Sequence, residues 1–323
     1  MLNIYDDANG RLSRAPAGGD VRETTVWLDL LNPTPEEEDI VEQALGIDVP
    51  TRAEMREIET SSRLYAEKGA HFMTALLVHD IEARRPIFSN ITFILAGRRL
   101  VTVRYAEPRG FALFIASAEK SDVPCASGTD IMAGLIEALV QRKADLVERV
   151  QDEVERLAGS IFDIRGGAQS RHKRLDVMLR SIGKQGEIAS RAQESSASLD
   201  RVLLYFLQAA RDRGEDARTI ERIASLHRDT RAISEHVRFL SDRTVFLLEA
   251  ALGMINIEQN QIIKLFSVMA VMLMPPTLVA SIYGMNFRHM PELEWTLGYP
   301  LALLAMAVAA LLPYLYFRRK GWL

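Results

Sequence analysis

The sequence predicts a small α/β domain followed by a long stalk helix and two membrane-spanning helices. Strand-like runs alternate with short helical runs over residues 1–125, and helical periodicity then continues without strand signals. The net charge is −7 over residues 1–260 and +3 over residues 261–323, where charged residues become rare. The C-terminal fifth of the chain is therefore the part suited to a bilayer.

The elements predicted for the first domain are short. Residues 26–30 read as a strand, residues 36–45 as a helix with acids in its first turn, and residues 51–59 as another short helix. Further strands are predicted at residues 72–78, 91–95 and 100–105, with a hairpin turn at Gly97-Arg98. The patterns GxGxxG, GxxxxGK[ST] and GxSxG do not occur, so we do not expect an enzyme.

Composition excludes several other classes of protein. The single cysteine, Cys125, rules out an intramolecular disulfide and suits a reducing compartment. The six histidines form no HxxxH or HExxH pair, so a thiolate or imidazole metal site is not expected. The net charge of −4 argues against a nucleic-acid partner.

Helical periodicity takes over at Thr129. We predict a cytoplasmic α/β domain over residues 1–125, a helical hairpin over residues 126–215 and a stalk helix over residues 216–260. No proline interrupts residues 217–274, so the stalk is expected to continue into the first span as one helix of residues 218–282. A heptad seam, typical of packing against other long helices, comprises Ile223, Leu226, Thr230, Ile233, Val237, Leu240, Thr244, Leu247, Ala251 and Met254.

Two runs of 23 residues, 265–287 and 295–317, contain no charge. At about 1.5 Å per residue, each is long enough to cross a hydrocarbon core of about 30 Å. Lys264 and the triplet Arg318-Arg319-Lys320 flank the inner ends, which predicts that both termini are cytoplasmic. The predicted segments are a first span at 261–284, an outer loop at 285–296, a second span at 297–317 and a basic cytoplasmic tail at 318–323.

A stripe of mostly small or weakly polar residues follows the first span at steps of three and four. One interpretation is close packing of helices through small side chains. The other is a pore lining, which requires an oligomer because two spans cannot enclose a pore. The stripe residues are Asn260, Ile263, Ser267, Ala270, Met274, Thr277 and Ser281.

The motifs around this stripe make the prediction more specific. YGMNF ends the first span at residues 283–287, MPEL follows at residues 290–293, and the chain closes on RRKGWL. Together they resemble the CorA magnesium transport family of bacterial inner membranes, and the runs at residues 255–260 and 275–281 strengthen the resemblance. The likeness is close over the C-terminal 75 residues and holds in outline for the rest.

The resemblance implies a funnel-shaped homopentameric channel in the inner membrane for Mg²⁺ influx, with Co²⁺ and Ni²⁺ as further ions. Intracellular Mg²⁺ would also act as a regulator that closes the gate. We further expect the stalk seams to pack about the central axis, with Val268 lying off the pore stripe. The implied pore residues are Asn260, Ile263, Phe266, Ala270, Met274, Thr277 and Ser281, and the implied selectivity filter is Gly284, Met285 and Asn286.

Acidic residues define two further expectations. Arg288 stands where related loops often carry an acid, so cations at the outer mouth would be concentrated by Glu292 and Glu294. Regulatory Mg²⁺ would bind between cytoplasmic domains, for which the candidates are Glu54, Glu57, Glu59, Asp229, Glu235 and Asp242. Two alternatives stay open, a Zn²⁺ transporter of the same superfamily and a membrane-tethered sensor or enzyme domain.

Overall fold

The computed structural model describes residues 1–16, 19–80, 86–120, 123–162, 168–286 and 290–322. Contacts divide the chain into two units, Met1–Asp163 with Leu179–Leu248, and Ile164–Met178 with Glu249–Leu323. The first unit contains a mixed seven-stranded sheet. Its strands are β1 Leu2–Asp7, β2 Leu12–Arg14, β3 Thr25–Leu31, β4 Leu64–Glu67, β5 Ala70–His79, β6 Ile87–Ala96 and β7 Arg99–Arg104.

The strand order in the sheet is β2-β1-β3-β7-β6-β5-β4. Only β3 and β7 run parallel, and every other neighbouring pair among these strands is antiparallel. β3 is buried along nearly its whole length, as expected for a central strand covered on both faces. One face of the sheet carries the apolar cluster around Trp27, and the other carries the cluster around Leu28.

Short helices cover the sheet. They are α1 Pro35–Leu45, α2 Thr60–Arg63 and α3 Arg109–Ala118, with a 3₁₀ segment at Glu54–Arg56. α1 begins with a capping box, because the Thr34 hydroxyl accepts from the Glu37 backbone while the Glu37 carboxylate accepts from the Thr34 backbone. The α1 prediction and the Gly97-Arg98 hairpin are confirmed. The single short helix predicted over residues 51–59 is wrong, because that stretch holds only one 3₁₀ turn before α2 begins at Thr60.

Three long helices follow, α4 Gly128–Phe162, α5 Ala168–Asp212 and α6 Ala217–Tyr283. α4 starts directly beside β7, and a side chain at Gly128 would collide with the backbone of Arg99. α6 is one continuous helix, as the absence of proline before Pro275 predicted. The division into domains at residues 125, 215 and 260 stays a prediction.

The heptad seam packs inside the protomer. All ten seam residues are buried or half-buried, and the Thr244 methyl group lies 3.3 Å from the Cβ position of Gly186 on α5. His236 on α6 is 2.8 Å from the Gln151 side chain on α4. Seam residues such as Ile223, Leu226 and Thr244 therefore pack within the protomer. The packing of the stalk helices about a central axis stays a prediction.

The second unit contains the C-terminal part of α6, a 3₁₀ turn at Pro291–Glu294 and α7 Gly298–Arg319. α6 and α7 are both long and apolar enough to cross a membrane, and only 6 % of the most apolar 18-residue stretch of each is buried. Such exposure is unlike the core helices of a water-soluble protein. The two apolar C-terminal helices predicted from the sequence are therefore confirmed.

Candidate functional site

The stripe on α6 is uncovered along its whole length. Ile263 and Met274 are 61 % and 70 % exposed, and Asn260, Ser267, Ala270, Thr277 and Ser281 are also exposed. The stripe extends one turn further towards the cytoplasmic end, to Asn256, which is exposed on the same face. The sequence prediction stopped short of Asn256, although its spacing of four from Asn260 carries the same signal.

A different face of α6 is the one that the protomer covers. Val268 is 1 % exposed, and the half-buried residues of the span are Met272, Pro275, Pro276 and Val279. At about 100° per residue, the centre of this buried face lies about 150° around the helix from the centre of the polar stripe. Polar and small residues are therefore turned away from the face that the protomer packs.

The buried face alters the roles that we assign to two residues, Val268 and Phe266. Val268 is off the stripe, as expected, but it is 1 % exposed, so a substitution there would disturb the packing of the protomer. Phe266, which the family resemblance implied as a constriction, is 63 % exposed and lies about 65° from the centre of the stripe by the same rotation per residue. It flanks the stripe instead of lying on it.

Thr277 illustrates how a hydroxyl is held in an apolar segment. Its Oγ1 donates to the Leu273 carbonyl at 2.7 Å, so the proton is used within the helix. Thr277 is exposed, so its hydroxyl oxygen can still accept a hydrogen bond from water. Stripe hydroxyls of this kind favour a wetted surface over lipid.

The filter residues follow the end of α6. The helix closes with bonds from the Gly284 amide to the Ala280 carbonyl at 3.0 Å and from the Met285 amide to the Ile282 carbonyl at 3.2 Å. A side chain at Gly284 would come within 3.1 Å of the Ala280 oxygen, so glycine suits this tight turn. Gly284, Met285 and Asn286 are all exposed at this end. The C-terminus of a helix carries partial negative charge, which favours a cation beside Asn286.

The acidic candidates do not assemble into a site within one protomer. The Glu54 carboxylate accepts from the Thr51 amide and hydroxyl, and Glu57, Glu59, Asp229, Glu235 and Asp242 are exposed. Across the described residues, no group of three or more His, Cys, Asp or Glu side chains could hold a metal ion. Glu294 is exposed in the outer segment, while the side chain of Glu292 and residues 287–289 lie outside the described part of the chain.

Known proteins match this chain both in sequence and in fold. The family model described as CorA-like Mg²⁺ transporter protein matches residues 22–319. The chain is 34 % identical over 325 residues to the magnesium transport proteins CorA of Pasteurella multocida and Pectobacterium atrosepticum, covering all of each sequence. It resembles the complete structure of the CorA magnesium transporter from Methanocaldococcus jannaschii, with a TM-score of 0.79 at 16 % identity, over 100 % of this chain and 99 % of that one.

Proposed function

The chain belongs to the CorA-like Mg²⁺ transporter family, and from that membership we propose how its residues carry Mg²⁺ across the inner membrane. It is a two-span membrane protein with a cytoplasmic N-terminal domain, and its function is Mg²⁺ transport.

The observation that carries the proposed pathway is the uncovered stripe of α6. Polar and small side chains face away from the buried side of the span, and lipid offers them no hydrogen bonds. Several copies arranged around an axis would turn these stripes towards one another and line a wetted path. We therefore propose a homo-oligomer, with the homopentamer of the family resemblance as its expected form.

Asn286 would form the selective ring at the outer end of this path. Mg²⁺ gives up its water slowly, so a cage of carboxylates would hold the ion too long for rapid passage. A ring of amide oxygens at the negative ends of the α6 helices can instead accept hydrogen bonds from the ion's hydration shell. Neutral ligands hold the ion weakly enough for it to leave. Co²⁺ and Ni²⁺ would pass by the same contacts.

Ile263 and Met274 would form the gate. Both lie on the stripe between polar neighbours, so each contributes one apolar ring in a symmetric oligomer. A hydrated ion that enters an apolar ring loses water contacts without gaining protein ligands, which costs several kcal/mol. A slight widening that lets water enter would remove most of this barrier. Phe266, beside the stripe, would support the ring of a neighbouring subunit.

Regulation would require more than one subunit. Because no cluster of three ligands occurs within the described residues of a protomer, a regulatory Mg²⁺ would be shared between the acids of two cytoplasmic domains. Its loss would leave like charges facing each other and drive the subunits apart. Exposed acids on α6, such as Asp229 and Asp242, are candidates for one half of such a site.

Flux through reconstituted liposomes tests the proposal. We expect internal Mg²⁺ to rise when Mg²⁺ is added outside, and to rise much less for the same concentration of Zn²⁺. Preferential Zn²⁺ flux would favour a zinc transporter on the same scaffold. Absence of flux for both ions from correctly assembled protein would contradict the pore and favour a membrane-tethered sensor.

A further inference from the structure

A tight turn at residues 320–322 follows α7. The Trp322 amide donates to the Phe317 carbonyl at 3.1 Å, and the Gly321 amide donates to the Arg318 carbonyl at 3.2 Å. This pair of bonds defines a Schellman motif, whose glycine has the expected positive φ of 69°. The motif folds Gly321 and Trp322 back beside α7.

Aromatic contacts fix the position of this turn. The rings of Phe317 and Trp322 stack with centroids 5.3 Å apart, which is the apolar contact that commonly accompanies a Schellman motif. The Lys264 Nζ atom of α6 lies 5.7 Å from the centroid of the same Trp322 ring, and the Lys320 Nζ atom lies 5.4 Å from the Tyr316 ring. The turn therefore brings the basic end of α7 to the cytoplasmic end of the first span.

The resulting surface, which we call the tail cluster, combines charge with amphipathic rings. Its cations are exposed and can reach a ligand, and Tyr316 and Trp322 are 55 % and 45 % exposed. Aromatic residues of this kind favour the interface between hydrocarbon and water. The acid nearest along α6 is Glu258, which is buried about one and a half turns before Lys264. The four cations of the tail cluster are Lys264, Arg318, Arg319 and Lys320.

We propose that the tail cluster is a binding site for the headgroup of an anionic phospholipid in the cytoplasmic leaflet. Charge complementarity selects this occupant, because four cations meet at the depth where lipid phosphates lie, and each basic residue there is attracted to an anionic surface. The rings of Trp322 and Tyr316 lie against the cations and extend the surface with apolar area suited to the upper acyl chain. Because the Schellman motif holds the basic triplet in place, the site is built before the lipid arrives.

Lipid retention by the full-length protein tests this proposal. The protein is reconstituted in nanodiscs of mixed phosphatidylglycerol and phosphatidylcholine, and the lipids that stay bound after extraction into detergent are counted by native mass spectrometry. We expect phosphatidylglycerol to be enriched several-fold over its share of the nanodisc. Lys320→Gln should lower this enrichment at least twofold, whereas Arg238→Gln, which removes an exposed cation on α6 in the first unit, should not.

A second pair of variants tests whether lipid binding needs the folded turn or only the positive charge of the tail. Gly321→Ala keeps every charge but strains the turn at positive φ, and Trp322→Ala keeps every charge but removes the stacking. Both should lower the enrichment as strongly as Lys320→Gln. Full enrichment in both variants, no enrichment in the wild type, or complete displacement by millimolar inorganic phosphate would each overturn the lipid site.

Discussion

Polar side chains are buried with hydrogen-bond partners in the sheet of the first unit, whereas polar side chains on the first membrane span of the second unit are exposed. In the sheet, Asp29 is fully buried and its carboxylate accepts from the Arg104 guanidinium at 2.8 Å and from the Thr102 hydroxyl at 2.8 Å. On the first span, Asn260 and Ser267 are exposed to the outside of the protomer. Burial with partners indicates a structural role, whereas a polar group left uncovered on an apolar helix requires another ligand, such as water, an ion or a second subunit.

The largest effect of removing an exposed polar group is expected at the filter. We expect Asn286→Ala to abolish Mg²⁺ flux in liposomes while the oligomer still assembles, because it removes the amide oxygen from the proposed ring. Thr296→Ala, at an exposed polar residue of the outer segment, should keep normal flux and serves as the control. Wild-type Mg²⁺ flux through an assembled Asn286→Ala protein would show that the filter lies elsewhere.

The buried network in the sheet gives the corresponding test of a structural polar group. Arg104→Met leaves the Asp29 charge without its guanidinium partner, which should lower the free energy of unfolding by about 3–5 kcal/mol. The indole nitrogen of Trp27 donates to the Thr102 hydroxyl at 3.0 Å, so tryptophan fluorescence during denaturant unfolding will follow this region.

Arg56→Met, at an exposed arginine of the first unit, is the matched control and should change stability by less than about 0.5 kcal/mol. Equal effects from the two arginines would mean that water reaches Asp29 readily and that the contrast between the units is weaker than the burial indicates.

The gate can be separated from the opposite side of α6 by a matched pair of serine substitutions. Ile263→Ser places a hydroxyl on the stripe and should raise basal Mg²⁺ leak about tenfold, because a wetted ring no longer imposes the dehydration barrier. Leu265→Ser makes the same change at a residue that is 51 % exposed, but almost on the opposite side of the helix. It should leave the leak unchanged. Equal leak from both variants would identify the stripe as a packing seam.

How much the sequence predicts depends on whether a signal is local. The length of α6, the two spans and the stripe all follow from hydropathy and a repeat of three and four residues, which any short stretch reveals. β1 was missed because Leu2–Asp7 lacks a clear alternation and is a strand through its pairing with β3. The Asp29–Arg104 pair joins residues 75 positions apart, a contact that only the sheet topology creates.

What the sequence leaves open concerns packing partners. The seam of α6 has the spacing of a coiled coil, and spacing alone does not say whether its partner is α4 or α5 of the same chain or another subunit. Val268 and Leu265 are both apolar residues outside the stripe, yet one is buried and the other is half exposed. Hydropathy assigns them to the same class, and only the packing of the folded protomer separates them.

The last expected effect is on the pH dependence of stability and concerns Lys143, a buried cation of α4 in the first unit. It is 2 % exposed, its Nζ donates to the Ser195 hydroxyl at 3.2 Å, and burial lowers its pKa to about 7. In the unfolded chain the pKa of lysine is about 10.4. Between these values the unfolded chain binds a proton that the folded chain does not, so stability should rise with pH from about 7 to about 10.

Lys143→Met should remove this dependence. The variant should gain about 2–4 kcal/mol over the wild type at pH 7. The gain should shrink as pH rises towards 10 and vanish only above the unfolded pKa of about 10.4, where the wild-type lysine is neutral in both states. Denaturant unfolding of the full-length protein in detergent, repeated at several pH values, measures the difference. Lys120→Met, at an exposed lysine of the first unit, should leave the pH dependence unchanged. If Lys143→Met keeps the wild-type slope between pH 7 and 10, the ammonium is hydrated in the folded protein. Lys143 would then resemble the stripe residues of α6 in being a polar group that water reaches.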